Sequence, residues 1–470
     1  MKSTLSFLIP FLHLLLLLGL SAIAAASNGP RHTHYNNLHT IQLSSLFPSE
    51  SCESHSQGTG NEAKFAVVHN HGPCSNHDRK SPTMEEILLA DEARVAMIQR
   101  KTSASKLHPD ATVIPARYGI TIGTGNYVVK LGLGTPARQL TWVFDTGSAF
   151  SWTQCLPCRS CYQQVDPIFN PSQSSSYSNV SCQLQPCATI ASETGFPVKC
   201  SGTTCVYGIL YGDNSLSFGY LAKEKLTITP TASVSNFYFG CAKINQGLFG
   251  MASGLLGLGR SPLSVVSLTA AQYNSTFSYC LPSSLSSVGF LSFGGAGVNL
   301  ASMRYTPISS SYSPNLYGVD IVGISVRGKL LPIPPSVFTT AKGIIDSGTV
   351  ISRLPRAAYT AMRDAFKAGM SKYPAAPPVS LLDTCFDLSN FSVISIPAIA
   401  FTFKGGATVD LHPKGILYAR VRKPSQVCLA FASNDADSDV AIFANVQQKT
   451  LEIVYDLPGG RIGFAGGGCG

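Results

Sequence analysis

At 470 residues the chain is too long for one ordinary hydrophobic core, which points to two domains or one large bilobal unit with appendages. Only 13% of residues are charged while Gly (42) and Pro (29) are plentiful, a balance that speaks against a helical bundle and for a β-rich fold with many turns. The net charge of +9 lies wholly beyond residue 115, because residues 1–115 carry nine basic and nine acidic side chains; without a clustered basic run, a soluble surface explains it as well as affinity for a polyanion such as acidic cell-wall polysaccharide or nucleic acid.

The chain opens with Lys2 and an apolar run from Phe7 to Leu20, and Ala24-Ala25-Ala26 precedes Ser27 in a small-residue cleavage pattern. This reads as a secretory signal peptide over residues 1–26, since the run is short for a membrane span and nothing comparable follows, so no membrane anchor is expected. Cysteine usage agrees: 12 of the 14 follow residue 116, an even number suited to disulfides in an oxidising compartment. Cys155-x-x-Cys158-x-x-Cys161 has the look of a zinc or iron–sulfur cluster, but a secreted chain favours bridges. The connectivity stays open at this level.

Residues 27–115 read as a prosegment. A strand-like piece at Phe65-Ala66-Val67-Val68 is followed by a helical stretch from Thr83 to Ile98, with Pro82 before it and acids in its first turn. Eight of the ten histidines lie between His32 and His108. Composition alone or a loose metal-binding tract accounts for them, with His32-x-His34 and His69-x-His71 poorly spaced for ligation. A pH switch also accounts for them, since protonation near pH ~6.5 adds positive charge to a segment lying on a basic body.

An N-terminal lobe is expected over residues 116–305. Its strands Tyr127–Gly134 and Leu140–Phe144 flank a turn with Gly134-Thr135-Pro136, which reads as a hairpin whose second strand delivers Asp145. The Cys-rich insertion Cys155–Cys205 follows, and then a second strand pair around the polar tip Gly212-Asp213-Asn214-Ser215, a candidate flap. Gly254-Leu255-Leu256-Gly257-Leu258-Gly259 suits a buried strand close to another backbone. The Ser/Gly-rich stretch 281–298 leads to a C-terminal lobe over residues 306–470. There a strand ends in Asp346, and Arg353-Leu354-Pro355 opens a helix with Tyr359, Met362, Phe366 and Met370 at helical spacing, residues better read as core than as ligand contacts. Cys385 and Cys428 of this lobe can pair. Asn179, Asn274 and Asn390 head N-x-[ST] sequons and are glycosylation candidates.

The two lobes repeat one motif, Val143-Phe144-Asp145-Thr146-Gly147-Ser148 and Ile344-Ile345-Asp346-Ser347-Gly348-Thr349. A single Asp-Thr-Gly or Asp-Ser-Gly is an ordinary turn sequence. Two copies, each after an apolar strand and each in its own lobe, are a different matter. Brought together, the carboxylates share one proton: the charged partner can deprotonate a water while the protonated one polarises a carbonyl, which is peptide hydrolysis without a covalent intermediate. Gly147 and Gly348 permit tight turns, Ser148 and Thr349 can donate to the outer carboxylate oxygens, and Thr146 and Ser347 can lock the loops together. No Walker loop or zinc motif occurs, and a Ser–His–Asp or Cys–His site beyond residue 115 would have to use His412, so neither metal nor cofactor is expected.

These motifs, with Tyr211-Gly212-Asp213, Gly254–Gly259, Asn445-Val446-Gln447-Gln448 and His69-Asn70-His71-Gly72-Pro73-Cys74-Ser75, resemble the pepsin-like aspartic proteases of the plant atypical, nepenthesin-like branch over about residues 125–466. The resemblance implies a mainly β, bilobal fold with the cleft between pseudo-symmetric lobes. It also implies Asp145 and Asp346 as catalytic dyad, Tyr211 as flap tyrosine, Trp152 as its hydrogen-bonding partner, and a secreted, apoplastic zymogen. Its partners would be polypeptide substrates and its own prosegment, and it would act as a monomer. Two positions depart from the branch. Asn214 replaces the usual Gly of the flap, and Ala444 replaces the Gly before Asn445, where its methyl could crowd the second active-site loop. A catalytically silent binding protein, like the plant xylanase inhibitors of this branch, is the alternative, and the presence of both aspartates and both glycines speaks against it. Additional DNA binding is a further alternative, disfavoured by a leader that is secretory rather than Arg/Ser-rich.

Overall fold

The computed structural model describes residues 37–53, 63–75, 82–103, 127–210, 215–247, 249–294, 302–310, 315–419 and 423–469. Residues 1–26, expected to be a signal peptide, lie outside the described residues, as do Tyr211, Gly212, Asp213 and Asn214 of the expected flap. Residues 38–470 form one unit.

Antiparallel strands dominate. Strand β3 (Tyr127–Leu133) pairs with β4 (Arg138–Asp145) in the register Val128↔Val143 to Leu133↔Arg138, closing the hairpin anticipated around Gly134. On its other side β4 runs parallel to Gly254–Gly257, with Leu256 beside Phe144 and Gly257 beside Asp145. A strand paired on both edges and covered on both faces reads as an unbroken apolar run, which is why Leu140–Phe144 shows no alternation. The second half repeats the plan. Gly343–Asp346 runs parallel to Ala441–Ala444, with Asp346 beside Ala444, and Ser352–Leu354 crosses next to it.

A long sheet connects the two halves. In it Arg304–Pro307, Arg461–Ala465, Glu452–Asp456, Thr276–Cys280 and Gly289–Phe293 follow one another. Gly289–Phe293 is a fully buried strand within the stretch that composition marked as Ser/Gly-rich. Next in the sheet comes β2 (Lys64–His69), seated between Gly289–Phe293 and β3 through the pairs Val67↔Gly289 and Val68↔Val128. The leading segment thus contributes a strand to the main sheet. Its first strand, β1 (Leu38–Gln42), pairs with Val393–Pro397.

Helix α1 (Met84–Ser103) begins with a reciprocal cap: the Glu86 N–H donates to the Thr83 hydroxyl (3.2 Å), and the Thr83 N–H donates to the Glu86 carboxylate (2.7 Å). Its apolar face covers the C-terminal lobe. Met84, Ile87 and Leu88 pack with Val350, Ile351 and Val446, while Val95 and Ile98 pack with Ile344, Ile442 and Ala444. The Gln99 side chain extends this docking, donating to the Val440 carbonyl (2.9 Å) and accepting from the Val440 N–H (2.6 Å).

The helix Arg356–Gly369 buries Tyr359, Met362 and Phe366, and Met370 is buried at its C-cap. It does not begin at Arg353: Ser352–Leu354 is a strand and Pro355 is the N-cap. A residue before proline is driven to extended backbone, so the helix starts only after it.

All 14 cysteines are bridged, as Cys52–Cys74, Cys155–Cys241, Cys158–Cys161, Cys182–Cys200, Cys187–Cys205, Cys280–Cys469 and Cys385–Cys428. Cys155, Cys158 and Cys161 are therefore not a ligand set, and no group of three or more metal-binding side chains occurs among the described residues. Asn179, Asn274 and Asn390 are exposed.

Candidate active site

Asp145 and Asp346 end equivalent strands and face each other, both fully buried. Each carboxylate receives the same local set of donors. Asp145 accepts from the Gly147 N–H (2.9 Å) and the Ser148 hydroxyl (2.5 Å), and Asp346 from the Gly348 N–H (3.0 Å) and the Thr349 hydroxyl (2.5 Å). Behind them the loops hold one another: the Thr146 N–H donates to the Ser347 hydroxyl (3.1 Å) and the Ser347 N–H to the Thr146 hydroxyl (2.9 Å).

The two glycines are required by the opposite loop. A Cβ on Gly147 would lie 2.5 Å from Asp346 Oδ1, and one on Gly348 would lie 2.4 Å from Asp145 Oδ1. Each loop therefore leaves empty the space that the other's carboxylate fills. Support comes from the second half, where the Asn445 side chain donates to the Ser347 carbonyl (3.1 Å) and Gln448 to the Asp346 carbonyl (3.2 Å). Tyr279 ties the halves together by donating to the Gln448 side-chain oxygen (2.7 Å).

Between the carboxylates lies a guanidinium. Arg94 of α1 donates through Nη1 and Nη2 to Asp145 Oδ2 and Oδ1 (3.1 and 2.8 Å), and through Nε and Nη2 to Asp346 Oδ2 and Oδ1 (3.1 and 3.0 Å). Its side chain is 15% exposed, against 1% and 0% for the two aspartates. Forked donors matched to carboxylate oxygens form charge-assisted bonds that a lysine could not reproduce.

The pair is electrostatically unequal. Burial pushes the Asp145 carboxyl up, but the Arg94 charge and hydrogen bonds, with those of Ser148 and Gly147, outweigh burial and hold it below its ordinary value. At Asp346 burial prevails over Arg94, reinforced by the charge of Asp145, and the carboxyl is raised. Burial disfavours the Arg94 charge too, yet the two carboxylates bind its proton more firmly than usual. The inequality belongs to the form in which Arg94 is bound; without that cation two facing carboxylates cannot both ionise cheaply and share one proton, the state that water activation needs.

Known families and proteins match the chain over both halves. Residues 127–295 match the family model described as "Xylanase inhibitor N-terminal", and residues 316–466 match "Xylanase inhibitor C-terminal". An aspartyl protease family protein of Arabidopsis thaliana is 54% identical over 444 residues, 92% of this chain and 93% of the relative. The chain belongs to the plant aspartyl protease family. Aspartic proteinase nepenthesin-2 of Nepenthes gracilis is 38% identical over 358 residues, covering 74% of this chain and 79% of its own length. Among solved structures, basic 7S globulin from soybean superposes with a TM-score of 0.56 at 20% identity, over 72% of this chain and 91% of that one, a likeness of fold.

Relative to the positions expected in an aspartyl protease, Trp152 is fully buried and packs edge-on against Phe249, with ring centroids 4.7 Å apart. The flanking strands Thr204–Leu210 and Leu216–Thr229 pair through Leu210↔Leu216, and residues 211–214 between them lie outside the described residues. Ala444 does not crowd its loop. It is fully buried in the cluster with Val95 and Ile98 of α1, and its N–H donates to the Ser352 hydroxyl (2.9 Å). Arg94 and Asp91 escaped the sequence reading. The signal was available: Leu88, Asp91, Val95 and Ile98 recur at helical spacing, so an acid interrupts an otherwise apolar stripe.

Proposed function

We infer that the chain is a secreted aspartic endopeptidase made as a zymogen, hydrolysing peptide bonds with a water held between Asp145 and Asp346. The observation that carries this reading is the guanidinium of Arg94, which bonds both aspartates from a segment N-terminal to the matched family region. A substrate carbonyl and its attacking water need the same space, so the docked leading segment blocks the reaction. Release of α1 leaves two carboxylates to share a proton, one acting as base on water and the other as acid toward the carbonyl oxygen.

Acid promotes that release in two ways. Protonation of Asp145 removes the charge that Arg94 grips. His69 of β2 is buried beside His71 and Lys449; burial, then those neighbouring charges, hold its pKa well below the ordinary value, so charging it opposes docking. His39 of β1 is likewise lowered by burial, though Asp410 and a backbone hydrogen bond at Leu411 act against that. The apolar run before Ala26 and the seven disulfides support secretion, and no described helix is long and apolar enough to cross a membrane.

The test compares peptide hydrolysis by acid-treated chain with and without pepstatin, alongside Asp145→Asn. Pepstatin-sensitive hydrolysis abolished by the substitution is expected. Equal activity in the variant, or none in the wild type, favours the second reading, a protease-fold binding protein, for which the xylanase-inhibitor description of the matching family models is the motivating observation.

A further inference from the structure

One turn of α1 before Arg94, a second contact of opposite sign is buried against the C-terminal lobe. The Asp91 carboxylate accepts from the Val350 N–H (2.6 Å) and the Ile351 N–H (3.1 Å), and pairs with Arg353 Nη1 at 3.1 Å. The Asp91 side chain is 0% exposed and that of Arg353 5%. Arg353 Nη1 also donates to the Ile351 carbonyl (2.6 Å), while Nη2 is buried with no hydrogen-bond partner. Two backbone donors and a guanidinium converge here on one carboxylate, a receptor built for an anion.

Val350 and Ile351 directly follow Thr349, whose hydroxyl holds Asp346. Asp91 stands three positions before Arg94, about 4.5 Å along the helix axis, and Val350 stands four positions after Asp346, so the anion receptor adjoins the dyad loop. When α1 leaves, the carboxylate goes with it while all the donors remain in the body. A buried guanidinium and two backbone N–H groups without an acceptor are unfavourable, and a ligand that restores the acceptor gains what solvent restores only in part. Glu92 feels the charges of Arg353, Asp91 and Asp435. Glu92 departs with α1, and Asp435 stays.

We propose that Arg353, with the backbone N–H groups of Val350 and Ile351, forms a subsite that selects an acidic side chain of the polypeptide substrate, a subsite that Asp91 fills before activation. The proposal rests on the protease reading and adds the substrate class. Arg353 is a specificity residue, touching substrate away from the scissile bond.

The test uses acid-activated full-length chain on a neutral peptide and on a set in which one position at a time, on either side of the scissile bond, carries cysteic acid, whose sulfonate stays ionised at acid pH. The wild type is expected to cleave the acidic peptide faster at one position, by ~10-fold or more in kcat/KM, as suits a hydrogen bond to a charged group. In Arg353→Met, which keeps only the two backbone N–H donors, the acidic-to-neutral ratio at that position is expected to fall several-fold, and in Arg353→Lys to an intermediate value, the ratio and not the rate being the readout. Equal rates for neutral and acidic peptides in the wild type overturn the inference while leaving the protease reading intact. A preference undiminished in Arg353→Met also overturns it. Cleavage of no peptide overturns the protease reading and this inference with it. The wild-type profile decides even if the Arg353 variants fail to fold.

Discussion

The strand beside Asp145 and the strand beside Asp346 occupy equivalent places, but one presents Gly257 and the other Ala444. A Cβ on Gly257 would lie 2.6–2.7 Å from the carbonyl of Ala149, so the N-terminal half admits no side chain there. In the C-terminal half the same place holds a methyl group that faces Val95 and Ile98 of α1. The asymmetry follows the helix, since α1 packs on the second half. Two aspartate loops that are alike in their hydrogen bonds thus differ in what covers them, and Asp145 and Asp346 differ in their affinity for a proton.

The sharpest way to break the pair is to remove one carboxylate. Asp145→Asn and Asp346→Asn are each expected to lower the kcat of activated chain by about 10²–10⁴-fold or more, because neither loop can supply both acid and base. Peptide hydrolysis checks this, and a variant retaining most activity would show the loops to be independent. Next in size is the clamp. Arg94→Met leaves both carboxylates without their shared cation, and breaking such a buried pair costs ~3–5 kcal/mol, so the intact chain should lose latency and cleave peptides without acid treatment. Unchanged latency would place the block elsewhere in the leading segment.

The pH dependence has a defined sign. Asp145 is held low in the clamped form, so its contribution to docking is present above the ordinary carboxylate range and is lost as pH falls through the clamped value. His69 is also depressed, with the neutral form favoured by docking. Its contribution is complete above about pH 6.5 and is lost progressively below it, by at most roughly 1.4 kcal/mol per pH unit. Acid conversion of the intact chain, followed by gel from pH 7 downward, should therefore begin near pH ~6.5 and accelerate in the carboxylate range. His69→Gln should reduce the early phase and leave the carboxylate phase unchanged, with His39 carrying what remains, and an identical profile in that variant would eliminate the His69 contribution.

The two smaller tests return to the strand pair. Gly257→Ala should destabilise both intact and activated chain by about 1–3 kcal/mol, since it overpacks against a backbone that cannot yield. Ala444→Gly should cost the intact chain about 1–2 kcal/mol through a lost methyl contact and a freer unfolded chain. The activated chain, already without Val95 and Ile98, should lose less. Denaturant midpoints measure both, and equal losses in the two forms would mean that α1 does not load that methyl.

Much of this was written locally in the chain. The apolar strands running into Asp145 and Asp346, their glycines, the hairpin at Gly134 and a helix from Thr83 follow from nearest-neighbour chemistry, which operates over a few residues. The bilobal β fold was legible because the motif occurs twice. What could not be read was any fact that depends on which surfaces meet. The strand assignment of Arg353 was lost to a neighbouring helix signal, and Ala444 was expected to crowd a loop when it instead meets a helix face.

The sequence by itself determined that two acids would end two buried strands and that each would be followed by a glycine. Only the tertiary structure decided that each glycine exists to make room for the opposite acid, that Arg94, 51 and 252 positions from its partners, lies between them, and that Asp91 fills a receptor around Arg353. Charges on a helix carry no address in the chain. Their meaning comes from burial, where an unpaired ion is costly enough that each must find its partner across the fold.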